Sequence, residues 1–364
     1  YDKPITKFAR ILETYLAVAP FGLGTFFQVL PSWLSEKLNL RRTIREELPD
    51  LAECCPILFT EHHQAHAASA FYPSPFSEAA ILTVDGVGEW ATTTIGEGRG
   101  HRITLLQELR FPHSLGLLYS AFTAYCGFRI NSGEYKLMGL APYGEPKYAA
   151  AIRDHLLDLK PDGSFRLNLD YFQFLRGFTM TNEKFHALFH GPPRGPEAPL
   201  EARHADVAAS IQEVTEEVML RLARHAREAT GQRNLCLAGG VALNCVANGR
   251  IVREKIFDQI WIQPAAGDAG GALGAALAAW HHHEADKPGE PVPGRLGDKM
   301  HGALLGPEFS ADEIEAVLRS HQAVYERLED AALLSRTVQL LQHEKVIGRV
   351  QGRMGNRHPF RAPQ

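Results

Sequence analysis

His62 and His66 stand four residues apart in EHHQAHAAS, and Asp85 follows in ILTVDGVGEW, a set of side chains suited to holding a metal ion. On a helix a four-residue step is about one turn and a rise of roughly 6 Å, so both imidazoles project from one face with room for one cation between them. A carboxylate then has to arrive from another element. Asp85 ends the apolar run Ala79-Ala80-Ile81-Leu82-Thr83-Val84, which has the composition of a buried strand. Strand ends are where doubly wound folds place reactive groups. Two neutral histidines and one carboxylate with open positions suit Fe(II), Mn(II) or Zn(II). Taken singly, His62 could cap a helix, His66 could be a core histidine and Asp85 a turn former before Gly86. Their combination points to the metal.

The elements that would position these residues can be read from periodicity. Three apolar runs, AAILTVDG, WATTTIGEG and HRITLLQEL, are separated by glycine turns and predict a β-meander whose first turn, D-G-V-G-E, is an expected phosphate loop. A helix is expected over Ser114 to Tyr125, and then comes the glycine-punctuated segment NSGEYKLMGLAPYG. The Phe- and Leu-rich region beyond it, ending in GPPRGPEAPL, reads as a surface excursion. Val207, Ile211, Val214, Val218 and Leu222 recur at helical spacing within Asp206 to Thr230, and Gly231 is placed to stop that helix. A strand at Leu235 to Ala238 runs into Gly239-Gly240 and a helix from about Ala242. A second strand, Ile260 to Gln263, runs into PAAGDAGGALGAALAAW. Strand, glycine turn and helix N-terminus present backbone N–H groups and the helix dipole to a phosphate, although some of these glycines would serve tight helix contact instead.

Composition narrows the function classes. The chain has 364 residues, 45% of them hydrophobic, enough for a large core and for more than one unit. A net charge of -4 and the lack of Lys/Arg clusters interleaved with aromatics argue against nucleic acid as a partner. Five scattered cysteines without a C-x-x-C pair argue against a disulfide framework or a zinc ribbon. No run approaches the roughly eighteen apolar residues of a membrane span. The first residues lack the basic-then-apolar form of a signal peptide, so a cytoplasmic protein without membrane contact is expected. The polar, Pro-rich stretch EADKPGEPVP after His281-His282-His283 places a domain boundary near residues 284–300. Beyond it, Ser310 and Glu313 form a capping box, and a second helix covers Asp330 to Gln342.

The motifs HHQAHAASAFYPSPF, TVDGVGEWATT, GEYKLMGLAPYG, RHADVAASIQ, LCLAGGVALNCVANG and QPAAGDAGGALGAAL, in this order along nearly the whole chain, resemble the O-carbamoyltransferases of the NodU/CmcH type. The resemblance implies an α/β, two-lobed actin/hexokinase-like (RNase H-like) nucleotide-binding fold followed by a YrdC-like α+β domain. The divisions would be residues 1–145 for a partial first lobe, 146–290 for the second and 301–364 for the truncated start of the YrdC-like domain. It implies two-step chemistry: carbamoyl phosphate and ATP give carbamoyl-adenylate, whose carbamoyl group then passes to a hydroxyl of a small molecule or glycan. It also implies a fourth metal ligand, Asp268, beside His62, His66 and Asp85, with iron the favoured metal.

Within that resemblance the amides of Gly86, Gly88, Gly239 and Gly240 are expected to hold phosphate. Asn244 would bind nucleotide or serve as a helix-start hydrogen bonder. Gly133, Glu134 and Lys136 of the GEYK segment would contact ribose or phosphate, or form an exposed ion pair. The resemblance departs at both ends, where the family's first strand-turn-strand and most of the YrdC-like domain have no counterpart. The expectation is therefore a fragment that does not make carbamoyl-adenylate. A small-molecule kinase or ATPase of the same fold, and a non-catalytic nucleotide-binding fragment, are the competing readings. The region from Pro146 to Leu200 is the expected place of acceptor specificity.

Overall fold

A computed structural model of the chain describes residues 3–52, 55–285, 297–350 and 352–355. Helices α1 (Pro4–Val18), α2 (Leu23–Ser32), α3 (Leu40–Glu47) and α4 (Pro49–Ala52) come first, and α5 (His62–Phe71) then leads into strands β1 (Glu78–Val84), β2 (Ala91–Arg99) and β3 (Arg102–Arg110). Next are α6 (Leu115–Tyr125), α7 (Glu134–Leu140), α8 (Ala149–Ala151), the hairpin of β4 (Leu157–Leu159) and β5 (Phe165–Leu167), and α9 (Glu183–Leu188). The long α10 (Ala202–Thr230) precedes β6 (Asn234–Ala238), α11 (Cys245–Arg253), β7 (Gln259–Ile262) and α12 (Gly271–Ala285). Helices α13 (Ala311–Ser320) and α14 (Asp330–Gln342) close the described chain.

The main sheet has the order β3-β2-β1-β6-β7, with β1 antiparallel to β2 and parallel to β6, and β6 parallel to β7. The predicted meander and the predicted β-α-β-α segment thus join in one mixed α/β layer. Strands from either side of residue 145 share this sheet, so the expected lobe division at 145/146 does not divide it. By its contacts the chain falls into two compact units, Tyr1–Gly297 and Asp298–Gln364. The expected linker lies outside the described residues from 286 to 296, as does the C-terminal segment from 356 onward.

Period-two alternation sorts β1 between two cores. Ala80, Leu82 and Val84 enter a cluster with Leu118, Phe122, Val207, Ile211, Val214, Leu235 and Leu237 on the α6 and α10 face. Ala79 and Ile81 enter the other cluster, with Ala67, Ala68, Phe71, Cys236, Ala238 and Ala278 on the α5 and α12 face. The same parity puts Thr83 and Asp85 on the α5 side. Gly98 on β2 gives Phe71 its space, since a Cβ there would stand 2.6 Å from the ring.

The region expected to be a surface excursion is largely core. Ile152, Leu156, Leu157, Phe165, Leu167, Phe172, Phe185 and Phe189 are all buried in the α10-side cluster, and Phe185 and Phe189 pack edge-on against Phe122 at 5.0 and 5.3 Å. Its Phe and Leu content is that of an inserted layer, and only its last part, around residues 192–201, is mostly exposed.

Helix α10 begins at Ala202, four residues before the expected Asp206, because Glu201 and His204 form a capping box; it ends at Gly231 with φ 66. Asp206 on this helix accepts from Glu145 N–H at 2.9 Å and Lys147 Nζ at 2.8 Å, which ties the loop after α7 to α10. Burial works to raise the Asp206 pKa, but these donors outweigh it and hold the carboxyl below its ordinary value. A depressed carboxylate stabilises the fold above the ordinary aspartate range and loses that contribution as the pH falls through its folded pKa. Asp206→Asn should cost about 1–3 kcal/mol near neutral pH and weaken the acid dependence of unfolding, measured by urea titrations from neutral to acid pH.

In the second unit Ser310 Oγ accepts from Glu313 N–H at 3.3 Å while Glu313 Oε2 accepts from Ser310 N–H at 2.8 Å, which is the predicted capping box. The helix expected over Asp330 to Gln342 has those bounds.

Candidate metal centre

His62 opens α5 and His66 lies one turn later, so both rings reach the same edge of the sheet. Asp85 follows β1 directly, and its parity aims it at α5. Asp268 arrives from the loop after β7. Asp85, the Gly239-Gly240 turn and Asp268 therefore stand at the C-terminal ends of the three parallel strands β1, β6 and β7, the edge where open α/β sheets place ligands.

The four side chains converge. His62 Nε2 is 2.9 Å from Asp85 Oδ2 and 3.1 Å from His66 Nε2, and His66 Nε2 is 3.2 Å from the same Oδ2. Asp268 Oδ1 stands 3.4 Å from His62 Nε2 and 3.5 Å from His66 Nε2. Four donors each about 2.1 Å from a single cation lie about 3.0–3.4 Å from one another, so this set fits a divalent ion. Both histidines are fully buried, Asp85 nearly so, and Asp268 is exposed; the cluster is closed on the helix side and open on the Asp268 side.

Burial opposes ionisation of Asp85, yet hydrogen bonds from His62 and His66 and their charge hold its carboxyl well below the usual range. For His66, burial lowers the pKa, while Asp268 and Asp85 raise it to a net increase. Asp268 is lowered first by its hydrogen bond with His66. The two carboxylates therefore stay ionised near neutral pH, as metal ligation requires.

His63, between His62 and His66 in sequence, has another role. Its Nδ1 is 2.6 Å from Thr83 Oγ1, and that hydroxyl is 2.6 Å from Thr94 Oγ1. Burial, then the charges of His62 and His66, push its pKa to about 3, so it is a neutral core histidine anchoring α5 to β1.

The surrounding residues orient these side chains. Asp85 Oδ1 accepts from Gly240 N–H at 2.9 Å, which turns Oδ2 to the imidazoles. The Ser114 hydroxyl caps α6 by accepting from Leu117 N–H and lies 2.6 Å from Gly86 O, fixing the turn after Asp85. Glu89 accepts from His62 N–H at 3.0 Å through Oε2, a carboxylate at a helix N-terminus. Glu89→Ala should lower metal affinity roughly tenfold by loosening His62, with Glu89→Gln retaining much of it; a metal titration of both variants checks this.

Close backbone approach calls for glycine at several of these positions. A Cβ on Gly88 would lie 2.7 Å from His62 Cβ, and one on Gly274 would lie 1.9 Å from Ala65 O, where α12 meets α5. Gly239, at φ +90, would place a Cβ 2.2 Å from Val84 O. The amides expected to hold phosphate are largely committed: Gly88 N–H donates to Ala91 O, Gly239 N–H to Ala266 O and Gly240 N–H to Asp85 Oδ1.

Asn244 is the N-cap of α11, accepting from Ala247 N–H at 3.0 Å, and pairs with the Gln212 amide in both directions. This is the helix-start alternative. Glu134 accepts from Ser120 Oγ and from Asn131 N–H, next to Gly133, the N-cap of α7. Lys136 is exposed and makes no ion pair among the described residues. Met138 Sδ, 3.9 Å from Cys245 Sγ, brings α7 beside the start of α11. Glu89, Ser114 and Gly274 were not found from the sequence as site-building residues, and Gly240, expected at a phosphate, instead donates to Asp85 Oδ1.

A protein-family model described as carbamoyltransferase N-terminus matches residues 1–277. Uncharacterized protein sll1178 of Synechocystis is 56% identical over 97% of this chain and 58% of its own length. Nodulation protein NolNO of Sinorhizobium fredii is 35% identical over 91% of the chain and 47% of its own length, and NolO of Bradyrhizobium diazoefficiens 36% over 83% and 53%. The chain thus spans about half the length of the curated relatives it matches. Among solved structures, T.kodakarensis HypF aligns with 67% of this chain and 39% of its own, at 16% identity and a TM-score of 0.36. Among the described residues, no helix is long and apolar enough to cross a membrane. With the family match covering most of its length, this chain belongs to the carbamoyltransferase N-terminal family.

Proposed function

We propose that this chain carries the transfer site of an O-carbamoyltransferase, passing a carbamoyl group from carbamoyl-adenylate, itself made from carbamoyl phosphate and ATP, to a hydroxyl of a small molecule or glycan. The observation that carries the reading is the convergence of His62, His66, Asp85 and Asp268 at the strand ends of a chain in this family. An Fe²⁺ ion held by these four side chains, or Mn²⁺ or Zn²⁺ in its place, would supply Lewis-acid polarisation of the carbamoyl carbonyl and lower the pKa of the acceptor hydroxyl.

The chain's own residues do the rest. His62 and His66 close the buried side, so a substrate enters past exposed Asp268. The N-termini of α6 and α11 face the same strand ends, and their dipoles favour the adenylate phosphate. Gly240 fixes Asp85 in one orientation, which spares its reorganisation during transfer. The exposed residues near 192–201 are a surface from which acceptor selection could be made.

Freshly prepared carbamoyl-adenylate mixed with the metal-loaded chain and a panel of oligosaccharide and polyol acceptors should release AMP and give a carbamoylated acceptor detected by mass spectrometry. Hydrolysis to AMP with every acceptor unmodified would contradict the reading. Two imidazoles among four ligands favour it over a kinase or ATPase of the same fold, whose Mg²⁺ would be held by oxygen donors.

A further inference from the structure

The layer that holds the metal centre carries a second pair of histidines. Tyr72 closes α5, His101 lies in the turn between β2 and β3, and His281 sits near the C-terminal end of α12. His101 Nδ1 and His281 Nδ1 are 2.7 Å apart, with ring centroids 4.9 Å apart and tilted by 37°. The buried Tyr72 ring stacks on His281 at 3.7 Å and 6°, and its hydroxyl donates to His101 O at 2.8 Å. One tyrosine thus orients both imidazoles, and both remain partly open to solvent.

Two Nδ1 atoms this close are joined either by one shared proton or by one cation, because nitrogen ligands about 2.1 Å from an ion stand about 3 Å apart. Three features favour a cation. The C-terminal end of α12 offers the negative pole of its dipole. The open edges leave room for water to complete a coordination shell. The two donors come from separate elements whose rings are already held in place, so little order is lost on binding.

We propose that His101 and His281 form a second transition-metal site for a nitrogen-seeking ion of the Zn²⁺, Ni²⁺ or Cu²⁺ class. The two imidazole nitrogens select for such an ion over a hard cation. Arg99 and Arg102 flank His101 and oppose a cation, with Arg99 offset by its ion pair to Glu97 at 3.2 Å, so this site is weaker than the four-ligand centre. A bound ion would join α12, which follows Asp268, to the hairpin that follows Asp85, beside the Tyr72 end of α5. The inference stands on this geometry alone and does not require the carbamoyl-transfer reading.

The test is a calorimetric Zn²⁺ titration of the full chain after removal of bound metal, with folding of each variant verified by circular dichroism. The wild type should show two classes of site. His281→Gln and His101→Ala should weaken the weaker class by about tenfold or more and leave the tighter class intact, while Asp85→Asn should do the reverse. Should His101→Ala fail to fold, His281→Gln decides alone, since glutamine can still hydrogen-bond His101 in place of the imidazole. Unchanged zinc binding in His281→Gln would overturn the proposal and leave a proton-shared pair. A wild type with the weaker class alone, lost in His281→Gln, would uphold this site and overturn the centre at Asp85.

Discussion

Asp85→Asn is expected to lower divalent-metal affinity by more than about 100-fold while leaving a folded chain, because the amide oxygen can still accept from Gly240 N–H but no longer carries the charge that faces two imidazoles. The wild-type carboxylate splits its work between its two oxygens: Oδ1 fixes the strand end and Oδ2 faces the histidines. Asp85→Ala removes both and should in addition destabilise the metal-free chain by about 3 kcal/mol, since it leaves the Gly240 amide without its acceptor and the buried histidines with Asp268 alone of the two carboxylates. Equilibrium dialysis with elemental analysis, paired with urea unfolding of the metal-free variants, separates the two effects. Equal metal content in wild type and Asp85→Asn would remove Asp85 from the ligand set.

Gly274→Val should have the second large effect. At this position α12 rests on α5 with backbone against backbone: an added Cβ would sit 1.9 Å from Ala65 O and 3.1 Å from Ser69 Cβ. Neither neighbour can give way without moving a helix. Helix α5 is held by His63 against Thr83, and Gln263 after β7 donates to Ser69 O from a fully buried position. A cost of about 3 kcal/mol or more follows from overpacking of this kind. Because α12 follows Asp268, the displacement should also weaken metal binding in whatever fraction remains folded. Chemical denaturation and a metal titration of the same sample measure both. A variant as stable as wild type would mean that the two helices do not meet as closely as this.

The parts of the fold that depend on local chemistry were legible. The continuous apolar run of β1, the meander after it, the helix start at Ser114, the capping box at Ser310 and Gly231 as a helix stop each follow from residue types within a few positions of one another. His62, His66 and Asp85 were legible for the same reason, as an i, i+4 pair plus a strand-end carboxylate. Asp268 was not, because no spacing rule links it to Asp85 across α10; it meets the histidines only through the order β1-β6-β7, and family resemblance alone pointed to it. That sheet order also joins strands from both expected lobes. The aromatic segment before GPPRGPEAPL was misread as surface because its strands are three residues long, too short for a period to show, while its Phe and Leu residues fill the core beside α10. The glycine turns were read for their permissive backbone and expected at a phosphate, whereas at Gly88 what counts is the missing Cβ; Gly274 serves the tight helix contact expected for some glycines of its segment. Glycine composition alone does not distinguish these uses.

The measurement that tests the central claim most directly is X-ray absorption at the metal edge of the chain loaded with no more than one equivalent of iron, so that the tighter four-residue centre fills before the histidine pair. The structure predicts a first shell of nitrogen and oxygen alone, with outer-shell scattering from two imidazoles that falls to one in His66→Ala. A sulfur ligand, or a shell without imidazole scattering, would contradict it.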